Sequence, residues 1–227
     1  NELKRHLTQN ISHELKTPVS SILGYMESIL SNPDIDEERK KFFIERSFQQ
    51  AQRLSALLQD ISTLNKMDEA RKLFEKESCD ISAIIEDVLF DVHLQLEQKN
   101  FIVLKNFNST LQVQGNRSLL YSIFRNLTDN ALAYAGENLT IDISCYREDD
   151  QYYYFSFSDN GVGISEEHLN RIFERFYRID KGRSRKMGGT GLGLSIVKNA
   201  VAFHKGSISA KSSPAGGLSF VFSIRKF

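Results

Sequence analysis

FIERSFQQAQRLSALLQDISTL, residues 43–64, decides the architecture of the first third of the chain. Phe43, Ser47, Gln50, Leu54, Leu57, Ile61 and Leu64 follow one another in alternate steps of four and three, the spacing of a heptad seam on a long helix. Towards the N-terminus, Leu7, Ile11, Leu15, Ile22, Tyr25 and Ile29 recur at spacings of three, four or seven, with Pro18 filling the gap in the stripe. The turn residues Ser31-Asn32-Pro33-Asp34 separate the two patterns. The spacing predicts two long antiparallel helices. Seams this narrow do not bury a lone pair well, and a dimer forming a four-helix bundle solves the problem. A helical hairpin packed on the rest of its own chain is the other reading.

Beyond the seam the pattern changes. Residues 66–76 are charged and lose the heptad, which predicts domains at 1–68 and 77–227 joined by a linker at 69–76. Asp80 can cap a helix carrying Ile84, Ile85, Val88, Leu89, Val92 and Leu96. Strand-like segments are expected at 101–107, 111–114, 139–145, 152–158 and 218–224, and helices at 118–134, 166–173 and 192–203. Strands and helices in separate runs suggest an α+β sandwich, one sheet with helices on one face.

Composition narrows the function classes. The 227 residues are 41% hydrophobic, enough for packed cores. Twenty-nine basic residues balance twenty-nine acidic ones, so no global charge draws the chain to nucleic acid or an anionic membrane. Cys79 and Cys145 form no CxxC and read as reduced core residues. No apolar run approaches the ~18 residues needed to span a bilayer, and no signal peptide opens the chain. A soluble piece is therefore expected, cut from a longer protein because it begins inside a helical pattern.

Four segments carry candidate chemistry. In Ser12-His13-Glu14-Leu15-Lys16-Thr17-Pro18, helical geometry puts His13 opposite the apolar stripe, facing solvent, with Thr17 one turn later on nearly the same face. Glu14 can hydrogen-bond one imidazole nitrogen and leave the other free to attack. Pro18 removes a backbone hydrogen bond just beyond the site. Alone, an exposed His-Glu pair is a weak signal and reads as an ordinary solvated helix face; His6, one heptad earlier, has no chemistry assigned, and His93, His168 and His204 read as structural or surface residues.

Asn126 and Asn130 share a helical face, and amide oxygens can complete the shell of Mg²⁺; a hydrogen-bonded polar pair is the alternative. Asp159-Asn160-Gly161-Val162-Gly163 follows a strand. Its glycines permit a tight turn beside a ligand and its carboxylate can accept from an exocyclic amine such as that of adenine; a plain strand-to-helix turn is the alternative. Gly188-Gly189-Thr190-Gly191-Leu192-Gly193-Leu194 opens a helix whose amides favour phosphate, or is a loop without ligand. It is neither a Rossmann fingerprint nor a P-loop. Between these lie Phe173–Arg178 and a basic stretch to Met187, a natural lid, with Arg178 placed to reach phosphate oxygens.

Taken in order, these segments resemble the sensor histidine kinases of two-component signalling. Ser12–Pro18 looks like the H box, Asn126–Ala131 the N box, Asp159–Gly163 the G1 box, Phe173–Arg178 the F box and Gly189–Gly193 the G2 box. The resemblance implies an ATP-dependent protein-histidine kinase with a dimeric helical-hairpin domain followed by a Bergerat-type α/β sandwich. It implies that His13 is the phosphoacceptor, Glu14 its polarising base, and Thr17 the residue that orients water for dephosphorylating a response regulator. Asn130 would hold Mg²⁺, with Asn126 and Tyr134 also at the nucleotide. Asp159 would recognise adenine, Gly161 and Gly163 would shape its pocket, and Gly189, Thr190, Gly191, Leu192 and Gly193 would line the phosphate side with Arg178. The implied cofactors are ATP and Mg²⁺, and the implied partners a response-regulator receiver domain and a second copy of the chain. No nucleic acid is implied. The location implied is cytoplasmic, as part of a protein that is membrane-anchored at full length. One position departs from the pattern: Ala133 stands where the family often has lysine. Gyrase-like or chaperone-like ATPases share the N and G boxes, and a degenerate nucleotide-sensing dimerisation module is the non-enzyme alternative.

Overall fold

The computed structural model describes residues 2–69, 75–179, 189–213 and 215–227. The chain divides into two compact units, Asn1–Ser62 and Thr63–Phe227.

The first unit is a helical hairpin. Helix α1 spans Glu2–Leu30 and α2 spans Glu37–Glu69, the last turns of α2 falling within the second unit. Asp36 caps α2: its Oδ1 accepts from the Arg39 amide at 2.8 Å, and Glu37 and Glu38 in the first turn complement the helix dipole. The two helices run antiparallel, with the Tyr25 ring stacked on Phe43 at 5.5 Å and Glu14 paired with Arg53 at 3.6 Å. Each seam position from Phe43 to Leu64 is buried or half-buried, as the heptad requires. Val19, Leu23, Phe42, Ile44, Phe48 and Leu58 remain exposed. Helix α1 is continuous through Pro18, which cannot donate to the Glu14 carbonyl.

The second unit is an α/β sandwich. Strand β1 (Glu77–Asp80) leads into α3 (Ile81–Asp91), α4 (His93–Gln98), β2 (Ile102–Asn106), β3 (Gln112–Gly115), α5 (Arg117–Tyr134), β4 (Thr140–Glu148) and β5 (Tyr152–Asp159). A short α6 (Glu166–Leu169), a 3₁₀ turn at Arg171–Phe173, α7 (Gly193–Phe203), β6 (Ile208–Ser212) and β7 (Leu218–Arg225) complete it. The main sheet has order β2-β4-β5-β7-β6, antiparallel except for the parallel β2–β4 pair; β1 and β3 form a separate two-stranded ribbon. Alternation along β5 puts Tyr153, Phe155 and Phe157 inward, into the core of the unit. Phe124 of α5 meets Phe155 and Phe222 edge-on, each at 5.8 Å, while Phe155 and Phe222 stack at 5.4 Å. Asp159 continues the inward register of β5, so its carboxylate emerges on the helix side of the sheet.

Three local readings need correction. The helix expected to run from Asp80 to Leu96 breaks at Val92, which is fully buried while Phe90 projects into solvent. The helix expected at 166–173 stops at Leu169, and a 3₁₀ turn then buries Ile172 and Phe173. Strands β1 and β6 were not among the expected elements. Of the expected linker, Glu69 closes α2 and residues 70–74 lie outside those described.

Candidate functional site

Two sets of residues carry chemistry, one in each unit. On α1, His13 is exposed on the face away from the stripe. Thr17 lies one turn on, and its hydroxyl donates to the His13 carbonyl at 3.2 Å. Glu14 is turned into the hairpin, its side chain only 16% exposed, and meets Arg53 there.

The second set surrounds a cleft of about 610 Å³ in the α/β unit. The C-terminal half of α5 forms one wall. Asn116 caps this helix by accepting from the Leu119 amide at 3.0 Å. The Asn126 amide donates to the Ser122 carbonyl at 2.8 Å, which fixes its orientation and leaves Oδ1 against Gly193. A Cβ at Gly193 would come within 2.6 Å of that oxygen, so the start of α7 approaches α5 only because residue 193 has no side chain. Asn130 and Tyr134 line the same wall, as does Ala133, which brings no cation.

Asp159 forms the floor. It is 6% exposed, and its Oδ1 accepts from the Gly161 amide at 2.9 Å and the Leu218 amide at 3.3 Å. Burial pushes its carboxyl above the usual aspartate range, and the two amide hydrogen bonds oppose that shift. Gly161 lies under the cleft, where a Cβ would overlap the Ala135 carbonyl oxygen; the Val162 amide bonds that same carbonyl at 3.1 Å. Gly163 lines the cleft above it.

The far wall joins two segments distant in sequence. The Phe176 amide donates to the Gly191 carbonyl at 2.8 Å and Arg178 Nη2 donates to the Gly189 carbonyl at 2.6 Å. Thr190 Oγ1 accepts from the Leu192 amide at 3.2 Å. Leu192 is fully buried at the entry to α7 and faces no ligand space, whereas Gly189, Thr190, Gly191 and Gly193 line the cleft. The basic stretch expected to act as a lid, residues 180–188, lies outside the described residues. Thus Asn126, Asn130, Tyr134, Asp159, Gly163, Arg178, Gly189, Thr190, Gly191 and Gly193 converge on one space, with Gly161 and Leu192 supporting it from beneath.

Sequence reasoning missed several lining residues. His168, read as structural or surface, faces the cleft and its Nδ1 bonds the Tyr177 hydroxyl at 2.7 Å, while Arg171 covers the Tyr177 ring at 4.4 Å. Asp129 also lines it, paired with Arg125 at 2.9 Å, and Leu218 reaches it from the start of β7. Only the pairing of β5 with β7 brings Leu218 there. Among the described residues no group of three His, Cys, Asp or Glu side chains could hold a metal ion. A cation in this cleft would depend on amide oxygen and on the oxygens of its own ligand, which the half-buried Asn130 fits.

Comparison with known proteins bears on both sets. Residues 3–70 match the His Kinase A (phospho-acceptor) domain, and residues 115–226 match the histidine kinase-, DNA gyrase B- and HSP90-like ATPases. The chain belongs to the sensor histidine kinases. It is 34% identical over 221 residues to the sensor-like histidine kinase SenX3 of Mycobacterium tuberculosis, covering 97% of this chain and 53% of that protein. It is 32% identical over 219 residues to the phosphate regulon sensor protein PhoR of Pseudomonas aeruginosa, covering 96% and 49%. The solved structure of the Acinetobacter baumannii histidine kinase AdeS superposes with a TM-score of 0.73 at 26% identity, over 94% of this chain and 98% of that one. The chain therefore spans about half the length of the curated sensor histidine kinases it matches. His13, Glu14 and Thr17 fall inside the phospho-acceptor match, and the cleft falls inside the ATPase match. No helix among the described residues is long and apolar enough to cross a membrane.

Proposed function

We propose that this chain is the ATP-dependent histidine kinase core of a two-component sensor. It transfers the γ-phosphoryl group of ATP to His13 and then to an aspartate on a response-regulator receiver domain. The observation that carries this reading is the convergence of Asn130, Asp159, Gly189, Thr190, Gly191 and Gly193 on one cleft, in a chain whose α1 presents an exposed histidine followed by a carboxylate.

Asp159 accepts from the adenine amine through its carboxylate, held in place by the Gly161 and Leu218 amides. Asn126, the amides of Gly189, Thr190, Gly191 and Gly193 and the Arg178 guanidinium hold the triphosphate, with Tyr134 closing the wall beside it. Asn130 holds Mg²⁺, which supplies charge neutralisation to the phosphates when bound. Ala133 lacks the lysine common at this position, so Arg178 carries more of the phosphate contact here. One His13 ring nitrogen attacks the γ-phosphorus in line, forming an N–P bond as the bond to the β–γ bridging oxygen breaks and ADP leaves. Glu14 takes up the positive charge developing on the other ring nitrogen by accepting its N–H.

Thr17 orients the water that dephosphorylates the regulator. For this its hydroxyl must turn away from the His13 carbonyl it bonds here. Two copies associate through the exposed apolar positions Val19, Leu23, Phe42, Ile44, Phe48 and Leu58, completing a four-helix bundle. We keep 1–68 as the dimerisation and phosphotransfer domain, 69–76 as linker and 77–227 as the catalytic domain. The chain acts on the cytoplasmic side of a membrane-anchored parent, and binds neither nucleic acid nor lipid itself. Incubation with γ-labelled MgATP should leave acid-labile, base-stable label on the protein. ATP hydrolysis without such label would replace this reading with a gyrase-like ATPase.

A further inference from the structure

Arg53 lies on α2, opposite the phosphoacceptor turn of α1, and its Nη2 stands 3.6 Å from Glu14 Oε2. The two side chains are 12% and 16% exposed, so the pair sits largely inside the hairpin. Other ion pairs described in this unit differ in kind. Lys40–Glu37 and Lys41–Glu45 are local to α2 and lie on exposed positions, where such pairs contribute little. Glu14–Arg53 crosses between the helices, and it does so at the residue adjoining His13.

We propose that Arg53 is a positioning residue for phosphoryl transfer, acting through Glu14. This rests on the reading of His13 as acceptor and Glu14 as its base. A nucleophile and its base work as a unit when a third group fixes the base. A carboxylate has two oxygens and can accept from a guanidinium and an imidazole N–H together. Largely withdrawn from water between two helices, the Glu14 carboxylate needs its direction fixed and its charge compensated. Arg53 supplies both, from the helix that does not carry the histidine. The hairpin fold is thereby part of the catalytic geometry as well as the dimer scaffold. Pro18 adds to this: it leaves the Glu14 carbonyl without its usual i+4 donor, so the helix backbone is a looser guide to the Glu14 side chain than elsewhere.

The test is a double-mutant cycle on the whole chain, following self-labelling from γ-labelled MgATP in the parent, Arg53→Met, Arg53→Lys, Glu14→Gln and Glu14→Gln/Arg53→Met. General acid–base catalysis contributes about 10²–10⁴-fold, and loss of the anchor should forfeit about tenfold or more of it in the saturating rate, with the KM for ATP unchanged. Arg53→Lys should restore most of the rate. In the Glu14→Gln background, Arg53→Met should change the rate by less than about twofold, because the group it acts through is gone. Circular dichroism and gel filtration check that helices and dimer persist; if Arg53→Met loses them, Arg53→Gln takes its place in the cycle. Equal fold-losses in both backgrounds, a lysine variant as slow as methionine, or a loss confined to KM would overturn the proposal. A parent that never labels on His13 would instead defeat the function on which it rests, whereas a labelling parent matched by Arg53→Met would defeat this inference alone.

Discussion

Acidification should destabilise the Thr63–Phe227 unit through His204. This side chain is 2% exposed at the C-terminal end of α7. Its Nδ1–H donates to the Ala200 carbonyl at 2.8 Å, and its Nε2 accepts from the Asn116 amide at 3.1 Å. Those partners define a neutral tautomer. A second proton would sit on Nε2, pointed at another donor, in a buried site. Burial accordingly lowers its pKa from 6.5 to about 4, with Lys76 adding to the effect and the Ala200 bond opposing it. The folded pKa lies below the unfolded one, so the unfolded state binds more protons between those values and stability falls as pH falls. A shift of this size is worth about 3 kcal/mol, of which about 2 kcal/mol is lost between pH 7 and pH 5 and nearly all by pH 4. Denaturant unfolding followed by far-UV circular dichroism at several pH values measures it. In His204→Gln the amide oxygen can still accept from Asn116, and the pH slope across this window should shrink by that amount. A variant whose slope equals the parent's would refute the reasoning. The consequence reaches the cleft of this unit, because Asn116 caps the helix that carries Asn126 and Asn130.

Other outcomes follow from the same geometry. Asp159→Asn should keep the Gly161 and Leu218 bonds through its amide oxygen yet weaken ATP binding by about 10- to 100-fold, measurable by calorimetry with a non-hydrolysable analogue. In the parent, ATP affinity should begin to fall at a pH above the ordinary aspartate range, since burial raises the Asp159 carboxyl. Gly161→Ala must displace the Ala135 carbonyl and should cost about 1–3 kcal/mol of stability, together with ATP affinity, in denaturation and binding assays. Thr17→Ala should leave self-labelling within about twofold while slowing dephosphorylation of a phosphorylated receiver about tenfold or more, assayed by loss of label from the receiver.

The helical hairpin was readable because a heptad imposes its period on every turn. Each seam residue from Phe43 to Leu64 is buried or half-buried in the structure, and His13 faces solvent where the stripe places it. The sandwich was readable where alternation was strong, as in Tyr152–Ser158 and Leu218–Ile224. Strand β6 escaped because Ile208–Ser212 is an edge strand with exposed polar residues. Strand β1 escaped because its short run, Glu77–Asp80, is held by pairing with β3, thirty-odd residues away. The cleft walls that come from glycine and asparagine spacing were visible as motifs. His168, Leu218 and Arg53 were not, since each gains its meaning from a partner on another element: Tyr177, Asp159 and Glu14. His204 reads from the sequence as a structural or surface residue, and it is structural, but nothing in its neighbours along the chain signals the Asn116 amide it accepts from.

The fate of the γ-phosphoryl group is decisive. Site-resolved mapping of phosphate after incubation with γ-labelled MgATP, comparing the parent with His13→Gln, tests that most directly. Label should map to His13, approaching one phosphate per active site, with none above background in a folded, ATP-binding His13→Gln protein. Equal labelling of the two proteins, or label mapped to any other residue, would contradict it.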